Sequence, residues 1–197
     1  MARSIEFDRN DVLTNCMHVF WDQGFDATSI TKLENATGLC RTSLYNSFGD
    51  KEKLFKQVID HYIETQCVYW TDILLGEHTF TGGVDKLVST MINENLDINM
   101  PTGCLITYSA AGIDKHSDEI RNRICRGHGT MIDGITAGLK NGVQTGEFTA
   151  ELDIDSVALF LLNNFQGIMV LSRTIGSKKN LNEIKKIMLT TLSIYKS

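Results

Sequence analysis

Apolar side chains recur along this chain at the spacing of helix faces, with short polar breaks between the runs. Between residues 8 and 23, one face of a helical repeat carries Val12, Cys16, Val19 and Phe20. Gly24 follows, and glycine readily adopts the left-handed conformation that ends helices. The pattern therefore predicts a first amphipathic helix that ends just before Gly24.

Two short helices follow the first one and meet at a tight turn. Either Thr28 or Ser29 is suited to cap the first of them, which covers residues 29–37 and ends at Gly38. The second covers residues 41–48. Two short helices joined in this way form a helix-turn-helix, whose second helix enters the major groove of DNA.

Longer helices are predicted beyond this motif. Asp50 caps a fourth helix, and the pattern predicts five more helices after it. Three of them cover residues 84–96, 104–112 and 117–143. The fourth of these begins at Asp153 or Asp155 and ends at 175, and the fifth begins at Asn180 or Asn182 and ends near 195. The predicted fold class is all-α, with a three-helix DNA-binding domain over residues 1–50 and a helical bundle for sensing and dimerisation over residues 51–197. The division falls within the fourth helix.

Charge and composition refine this picture. The net charge is −5, but residues 28–56 contain five basic and three acidic residues, so this segment carries +2. An acidic protein with a local basic patch avoids non-specific binding to DNA while the patch docks. The five cysteines are odd in number and widely spaced, so we expect reduced thiols in a cytoplasmic protein without metal or cofactor. No continuous apolar run suggests a membrane span.

The exposed early positions of the second short helix carry side chains that recognise DNA. Arginine bonds guanine bidentately, hydroxyl groups serve several bases, and tyrosine or hydroxyl side chains bond phosphate. A helix N-terminus also favours phosphate, and a lysine in the first turn of the fourth helix can reach the backbone. The candidate DNA-binding residues are Thr28, Ser29, Arg41, Thr42, Ser43, Tyr45, Asn46 and Lys51.

The segment GFDATSITKLENATGLCRTSLYNSFGDKEKLF resembles the DNA-binding signature of the TetR/AcrR family of one-component regulators. The resemblance implies an effector-binding bundle, a four-helix dimer interface formed by residues 155–175 and 180–195, and operator DNA as the partner of a homodimer. It also favours a repressor over an activator. Two positions depart from the family pattern. Cys40 replaces a common serine, which weakens the N-terminal cap of the second short helix. Glu34 replaces a small residue and is expected to face solvent and pair with a nearby lysine or arginine.

The segment 155–175 independently favours a partner helix, because it has more apolar surface than one chain need bury. The residues that suggest this are Val157, Phe160, Leu161, Phe165, Ile168 and Leu171.

The second half of the chain contains candidates for sensing an unknown small-molecule effector. Trp70, Tyr108 and Met131 are predicted to line an apolar cavity, although core packing is the plainer reading. Cys104 begins a helix, where a thiol becomes more reactive, and its Gly-Cys-Leu setting resembles that of electrophile and hypohalous-acid sensors in the same family. A buried structural cysteine is the alternative.

Two other classes of protein remain open from the residues alone. A thiol-dependent helical enzyme needs a cysteine and a histidine paired in space, but no acid–base or metal motif supports it, so we expect no enzyme activity. A helical adaptor that binds only proteins is the second alternative. Both predict no salt-dependent, sequence-selective binding to DNA.

Overall fold

A computed structural model describes residues 7–98 and 100–197, and within these ranges the chain is built from helices. The helices are α1 (Arg9–Ala27), α2 (Ile30–Thr37), α3 (Arg41–Phe48), α4 (Lys51–Tyr62), α5 (Val68–Leu75), α6 (Phe80–Asn95), α7 (Leu105–Ala111), α8 (Asp118–Gln144), α9 (Ile154–Thr174) and α10 (Lys178–Ser193). A π-helical turn, Ile63–Cys67, joins α4 to α5, and a 3₁₀ turn, Ile113–Lys115, follows α7. The predicted all-α fold class is confirmed.

The first three helices bury their apolar faces in the N-terminal part of one continuous core, which α4 and the later helices share. Cys16 and Phe20 of α1 are fully buried, as are Leu33 of α2 and Leu44 of α3. Gly24 has φ 75° and interrupts the regular helix, although helical residues continue to Ala27. The sequence therefore located the break in α1 correctly but placed the end of the helix too early.

A single helical rod, residues 51–75, links the first three helices to the rest of the chain. The helix α4 begins at Lys51 with the Asp50 side chain as its cap, and it continues without a break through the π-turn into α5. A π-turn inserts one extra residue into a helix and is frequent at functional positions. The inner face of α4 is fully buried, with Phe55 and Tyr62 as its largest side chains. Because α4 packs against both α1 and α8, it connects the N-terminal helices to the C-terminal bundle.

Glycines of the helix α8 let two other helices of the C-terminal bundle, α5 and α6, approach it closely. A Cβ atom on Gly138 would lie 2.3 Å from the Phe80 ring, and one on Gly134 would lie 2.7 Å from Thr71. Glycine normally weakens a helix, but here it lets α5 and α6 pack directly against α8. The predicted helix over 117–143 is confirmed, although Ser117 donates to Glu52 instead of capping the helix.

The last two helices combine a buried face with an exposed apolar face. By length and composition alone α9 could cross a membrane, since its best window of 18 residues has a mean hydropathy of 1.5, with 39% of that window buried. Its inner face packs against α6, α8 and α10, as a core helix does. The helix α10 begins at Lys178 with Ser177 as its cap, so the predicted start at Asn180 or Asn182 was too late.

The outward face of this pair differs from the one expected. The residues Val157, Leu161, Phe165 and Ile168 are buried inside their own chain, and only Phe160 of the six predicted residues is among the exposed large hydrophobics. The side chains that do point outward include Leu159, Val170 and Ile187. The helix α9 does expose apolar side chains, as predicted. Most of the residues named for that surface, however, lie on the buried side of the helix.

Candidate functional site

The helix-turn-helix is held by caps at each end of α2. Ser29 accepts the backbone N–H of Lys32 at 3.4 Å, and Gly38 has φ 70° and donates its N–H to the Glu34 carbonyl oxygen at 2.8 Å. A left-handed glycine after a helix turns the chain sharply. The turn therefore leads directly into α3 at Arg41, as the sequence predicted.

The N-terminus of α3 is capped by a residue of α2. Cys40 makes no side-chain hydrogen bond to the backbone of α3. The Glu34 carboxylate instead accepts the Arg41 backbone N–H at 2.6 Å. The expectation that Glu34 pairs with a basic side chain is therefore wrong, since its partner is a main-chain group.

The helix α3 presents its candidate contact residues on one side and its apolar residues on the other. Leu44 and Phe48 are buried against the domain core. The Arg41 guanidinium lies 5.3 Å from the centre of the Tyr45 ring, within reach of a cation–π contact. Of the predicted contact residues on α3, Arg41, Thr42 and Asn46 are exposed. Ser43 and Tyr45 are half-buried.

Two basic residues fix the edges of this surface. The Arg9 guanidinium donates to the Ser47 carbonyl oxygen at 3.1 Å and lies over the Phe48 ring. The Lys51 ammonium lies 4.6 Å from the centre of the Phe25 ring, and burial lowers the pKa of this amine. Lys51 is thus a half-buried positive charge beside α3, and its ammonium also donates to the Asp26 carbonyl oxygen at 3.5 Å.

The structure does not support a DNA contact by the Thr28 side chain. Thr28 is only 1% exposed, and its hydroxyl donates to the Gly24 carbonyl oxygen at 2.7 Å. The neighbouring Ser29 is exposed and is the residue that caps α2. The sequence left the cap open between these two, and the buried hydroxyl of Thr28 fixes the kink after Gly24 instead.

Charged side chains connect the rod to the sensor bundle. The Asp60 carboxylate of α4 accepts hydrogen bonds from Arg123, at 3.1 Å, and from Arg126 of α8. The Lys56 ammonium donates to Glu119 at 2.5 Å, and this bond raises the pKa of Lys56 while it lowers that of Glu119. Arg123 and Arg126 therefore tie α8 to α4, the helix that follows α3 in the chain.

The predicted sensor residues divide between two cavities. Trp70, Cys104 and Met131 line one apolar cavity of about 30 Å³ between α5, α8 and α9. Tyr108 lines a separate space against α1, donates to the Met169 carbonyl oxygen at 3.2 Å, and lies 4.5 Å below the Arg173 guanidinium. The expectation that all of them share one cavity was wrong for Tyr108, because its ring turns towards the DNA-binding domain.

Cys104 is buried and accepts hydrogen bonds. Its sulfur accepts the Tyr62 hydroxyl at 3.3 Å and the Thr107 N–H at 3.5 Å. Tyr62 is fully buried, and burial raises the pKa of its hydroxyl well above the usual value. Among the described residues, no group of three or more His, Cys, Asp or Glu side chains is arranged to hold a metal ion.

Two further residues line the Cys104 cavity, and sequence reasoning missed the first of them. Cys67 lies on its wall in the π-turn, and burial raises the pKa of this thiol. The sequence suggests His128 either as a polar group of an effector pocket or, more simply, as a surface histidine; it is half-buried on this wall, and its Nε2 atom has no hydrogen-bond partner. The apolar period of α8 places position 128 beside the buried Ile124 and Met131, and that was the available signal.

Family comparisons agree with this geometry. Residues 13–58 match the model for bacterial regulatory proteins of the tetR family, and residues 84–188 match the model for the tetracyclin repressor-like C-terminal domain. The HTH-type transcriptional repressor ComR of Escherichia coli (strain K12) is 27% identical over 190 residues, which is 96% of this chain and 89% of that protein. The uncharacterized HTH-type transcriptional regulator YezE of Bacillus subtilis (strain 168) is 24% identical over 98% of this chain and 100% of its own length.

Solved structures resemble the whole chain. A cysteine mutant of the TetR family transcriptional regulator CifR, complexed with 26-bp double-strand operator DNA, superimposes with a TM-score of 0.85 at 26% identity. The match covers 95% of this chain and 98% of CifR. The helix-turn-helix of α2 and α3 and the two family matches lead to one conclusion: the chain belongs to the tetR family of bacterial regulatory proteins and is a DNA-binding transcriptional regulator.

Proposed function

We propose that this protein is a cytoplasmic homodimeric repressor that binds operator DNA with α3 in the major groove and leaves it when a small-molecule effector binds the C-terminal bundle. The observation that carries the proposal is the orientation of α3, whose early polar side chains point outward from a fully buried Leu44. Such a face has no role in the core. The operator complex of CifR and the repressor name of ComR support the proposal.

Dimerisation through α9 and α10 is supported by the apolar side chains that this pair exposes. Leu159 is 59% exposed and Ile187 is 61% exposed. Large apolar side chains grouped on one surface favour a protein partner. A second copy related by a two-fold axis would cover this face and set the two α3 helices about 34–36 Å apart, the separation of successive major grooves.

The effector is proposed to act beside α5, where Trp70, Cys104 and Met131 meet, by widening a cavity of about 30 Å³ that has room for roughly one water molecule. An effector that binds the free dimer more tightly than the DNA-bound dimer by about 1–3 kcal/mol changes operator affinity by roughly 5- to 150-fold. A thiol-reactive signal at Cys104 is the second form of the same proposal. The low exposure of Cys104, 7%, favours a ligand over a reagent.

Fluorescence anisotropy with labelled DNA from upstream of the protein's own gene tests the proposal. We expect binding that weakens steeply with salt and exceeds binding to a scrambled duplex. Arg41→Ala should reduce the preference for the operator, because one bidentate base contact is worth about 1–3 kcal/mol. The matched control is Lys140→Ala, which removes an exposed positive charge on α8, away from both α3 and the proposed dimer interface. Equal binding of operator and scrambled DNA at every salt concentration would overturn the proposal.

A further inference from the structure

The cavity beside Tyr108 lies at the joint between α1 and the segment after α7. It has a volume of about 230 Å³. One side is formed by the end of α1, with residues 23–27, and the other by α7 and the 3₁₀ turn, as far as His116. The first side falls in the region matched by the DNA-binding family model, and the second in the region matched by the C-terminal model. A molecule bound here would therefore contact both parts of the chain.

Two glycines keep this cavity open. Gly24 lies on the α1 side and Gly112 on the other, and a Cβ atom on either would meet no heavy atom within 4 Å. The cavity also exceeds the volume of about 150 Å³ that accommodates benzene inside a protein. A ligand with one aromatic ring and a small substituent therefore has room here.

The walls beside these glycines are aromatic and within reach of a ligand. Phe25 and Tyr108 are half-buried, so part of each side chain remains accessible. The His116 ring stands edge-on to the Phe25 ring, with 5.8 Å between the centroids. Aromatic walls with a few polar groups are typical of sites that bind small organic molecules, so these walls favour a ligand with a planar apolar part.

A hydroxyl group without a partner opens onto the cavity from α7. Ser109 is only 9% exposed, and its hydroxyl forms no hydrogen bond with the described residues. It is nevertheless not one of the unpartnered side-chain atoms that are sealed from solvent, which are the indole nitrogens of Trp21 and Trp70 and the Nε2 atom of His128. The accessible part of Ser109 therefore faces the cavity that it lines. Buried hydroxyl groups are nearly always hydrogen-bonded, so a ligand is a suitable partner.

The residues Ser109, Gly112 and Lys115 form one row along this side of the cavity. The Gly112 N–H donates to the Ser109 carbonyl oxygen at 3.2 Å, and the Lys115 N–H donates to the Gly112 carbonyl oxygen at 3.0 Å. Successive bonds of this kind place side chains three positions apart on the same face. Because Gly112 has no side chain, one small group above it can contact both the Ser109 hydroxyl and the Lys115 ammonium.

The charges at the cavity favour an anion. Lys115 is exposed and forms no ion pair or hydrogen bond with the described residues. The Arg173 guanidinium, next to the wall at Tyr108, donates to a backbone carbonyl oxygen of α1 at 3.1 Å instead of a carboxylate. Asp26 brings a carboxylate to the wall, but the Lys51 ammonium approaches the same residue to 3.5 Å and offsets its charge. A single negative charge at Lys115 is therefore attracted.

We propose that this cavity binds a small aromatic carboxylate. Its carboxylate accepts hydrogen bonds from the Ser109 hydroxyl and the Lys115 ammonium, and its ring packs against Phe25 and Tyr108. The site is separate from the effector cavity proposed above. Because the ligand contacts α1 and the turn after α7 together, its affinity should differ between the free and the operator-bound protein. This link to operator binding rests on the proposed function, whereas the binding site itself does not.

Nuclear magnetic resonance both locates the ligand and measures its affinity. The isotope-labelled full chain is titrated with benzoate and with phenylacetate while the backbone amide shifts are followed. We expect saturable shifts at Gly24, Gly112 and Lys115, and little change at Met131 in the other cavity. Benzyl alcohol replaces the carboxylate with a neutral hydroxyl, and acetate lacks the ring. Each of these controls should bind more weakly than phenylacetate by about tenfold or more.

Variants test the contacts separately. Ser109→Ala removes the hydroxyl, and Lys115→Met removes the ammonium but keeps a long apolar side chain. Each should weaken phenylacetate binding by about three- to tenfold, the value of one hydrogen bond. Gly112→Leu fills the open space and should abolish binding, and its backbone, with φ −111°, is compatible with any residue. Lys140→Met, near the C-terminal end of α8, is the control and should leave binding unchanged. The amide spectrum of each variant shows whether it is folded.

Three results would overturn the proposal. The first is amide shifts that grow linearly with both carboxylates and never saturate. The second is saturable shifts confined to the surroundings of Met131. The third is phenylacetate affinity that is unchanged in Ser109→Ala, Lys115→Met and Gly112→Leu.

Operator binding is measured separately by anisotropy. By linkage, a ligand that weakens operator binding is bound more weakly by the operator complex, by the same factor. Phenylacetate binding that operator DNA does not change supports the site and contradicts only its link to regulation. A protein that ignores operator DNA contradicts the proposed function and leaves the amide shifts as evidence for the site.

Discussion

The Glu34 carboxylate accepts the backbone N–H of Arg41 at 2.6 Å, so the supporting helix caps the recognition helix across the turn. The residue that would normally provide this cap is Cys40, and its sulfur lies 3.3 Å from the Ser43 hydroxyl instead. Both positions depart from the family pattern. The structure shows that they depart together, because the carboxylate supplies the acceptor that the cysteine does not.

The first prediction concerns this cap. Glu34→Ala should lower the free energy of unfolding by about 0.5–2 kcal/mol, since it leaves the first N–H of α3 without its acceptor. Glu34→Gln keeps an acceptor oxygen and removes the negative charge beside the DNA-facing surface. It should retain most of the stability and bind DNA more tightly at low salt. Urea unfolding and fluorescence anisotropy measure the two effects.

Cys40→Ser provides the matched test of compensation. A serine at this position restores a strong capping side chain, so it should stabilise the Glu34→Ala variant more than it stabilises the unchanged protein. Equal effects in both backgrounds would show that the two residues act independently.

The sequence predicted the local structure better than the contacts between elements. The bounds of α3, the stop at Gly38 and the Asp50 cap follow from residue types within a few positions of one another. The cap from Glu34 and the bonds from Arg123 to Asp60 join residues of different helices. The spacing of apolar residues and the capping rules describe one helix at a time. They therefore do not show which charged side chains of different helices form hydrogen bonds or ion pairs.

The second prediction separates phosphate contacts from base contacts on α3. Tyr45→Phe removes one hydroxyl, so it should weaken binding to operator and scrambled DNA alike by about tenfold, with an unchanged salt dependence because the side chain is neutral. Asn46→Ala removes an amide able to bond adenine, so it should weaken operator binding alone. A loss of operator preference in Tyr45→Phe would reverse these assignments.

The third prediction concerns the exposed apolar face of α9. Leu159→Glu places a charge where a second copy is proposed to pack, so sedimentation velocity should show a shift from dimer to monomer. Operator affinity should fall on the order of a hundredfold, since each half-site is then bound separately. Asn122→Glu adds the same charge at an exposed position of α8 and is the control. A Leu159→Glu protein that stays dimeric would place the interface elsewhere.

The fourth prediction is a loss of stability at mildly acidic pH. Burial is the leading cause that lowers the pKa of His18, His61, His116 and His128. The unfolded chain, with ordinary histidines near pH 6.5, binds more protons than the folded chain below that value. Stability should therefore be complete above about pH 6.5 and should fall as the pH drops through the lower folded pKa values.

Urea unfolding at pH 7.5 and pH 5.5, at constant ionic strength, measures this loss. His128→Gln should reduce the difference between the two conditions, because a neutral side chain replaces a buried titrating one. His78→Gln is the control, since His78 is exposed. Equal stability at both pH values in the unchanged protein would contradict the assignment.

The sensor residues were harder to predict than the DNA-binding ones. An exposed recognition helix is recognisable from a short motif, whereas a cavity forms where several distant segments meet. Trp70 was predicted from its aromatic character alone, and Cys67, on the wall of the same cavity, was missed because it lies in the π-turn between α4 and α5. Tyr108 has the same aromatic character as Trp70 but turns to a different space. The residue type indicates that a side chain is suited to line a cavity. Which cavity it lines depends on how the helices pack.

The last prediction concerns thiol reactivity. Cys40 and Cys125 are exposed, whereas Cys16, Cys67 and Cys104 are buried. The Ser43 hydroxyl lowers the pKa of Cys40, and burial raises the pKa of Cys16 to about 12. An aromatic disulfide reagent that reports released thiolate should therefore show two fast thiols in the folded protein, with Cys40 the faster, and all five after unfolding.

Variants identify the thiol that belongs to each kinetic phase. Cys40→Ser should remove the fastest phase, and Cys104→Ser should remove only a slow one, because the Cys104 sulfur lies beneath Tyr62 and becomes accessible when the bundle opens. A small-molecule effector then fits the sensor better than a thiol-reactive signal. If Cys104 instead reacts as quickly as Cys40, and Cys104→Ser abolishes operator release by electrophiles, the thiol-reactive form of the regulatory proposal is the correct one.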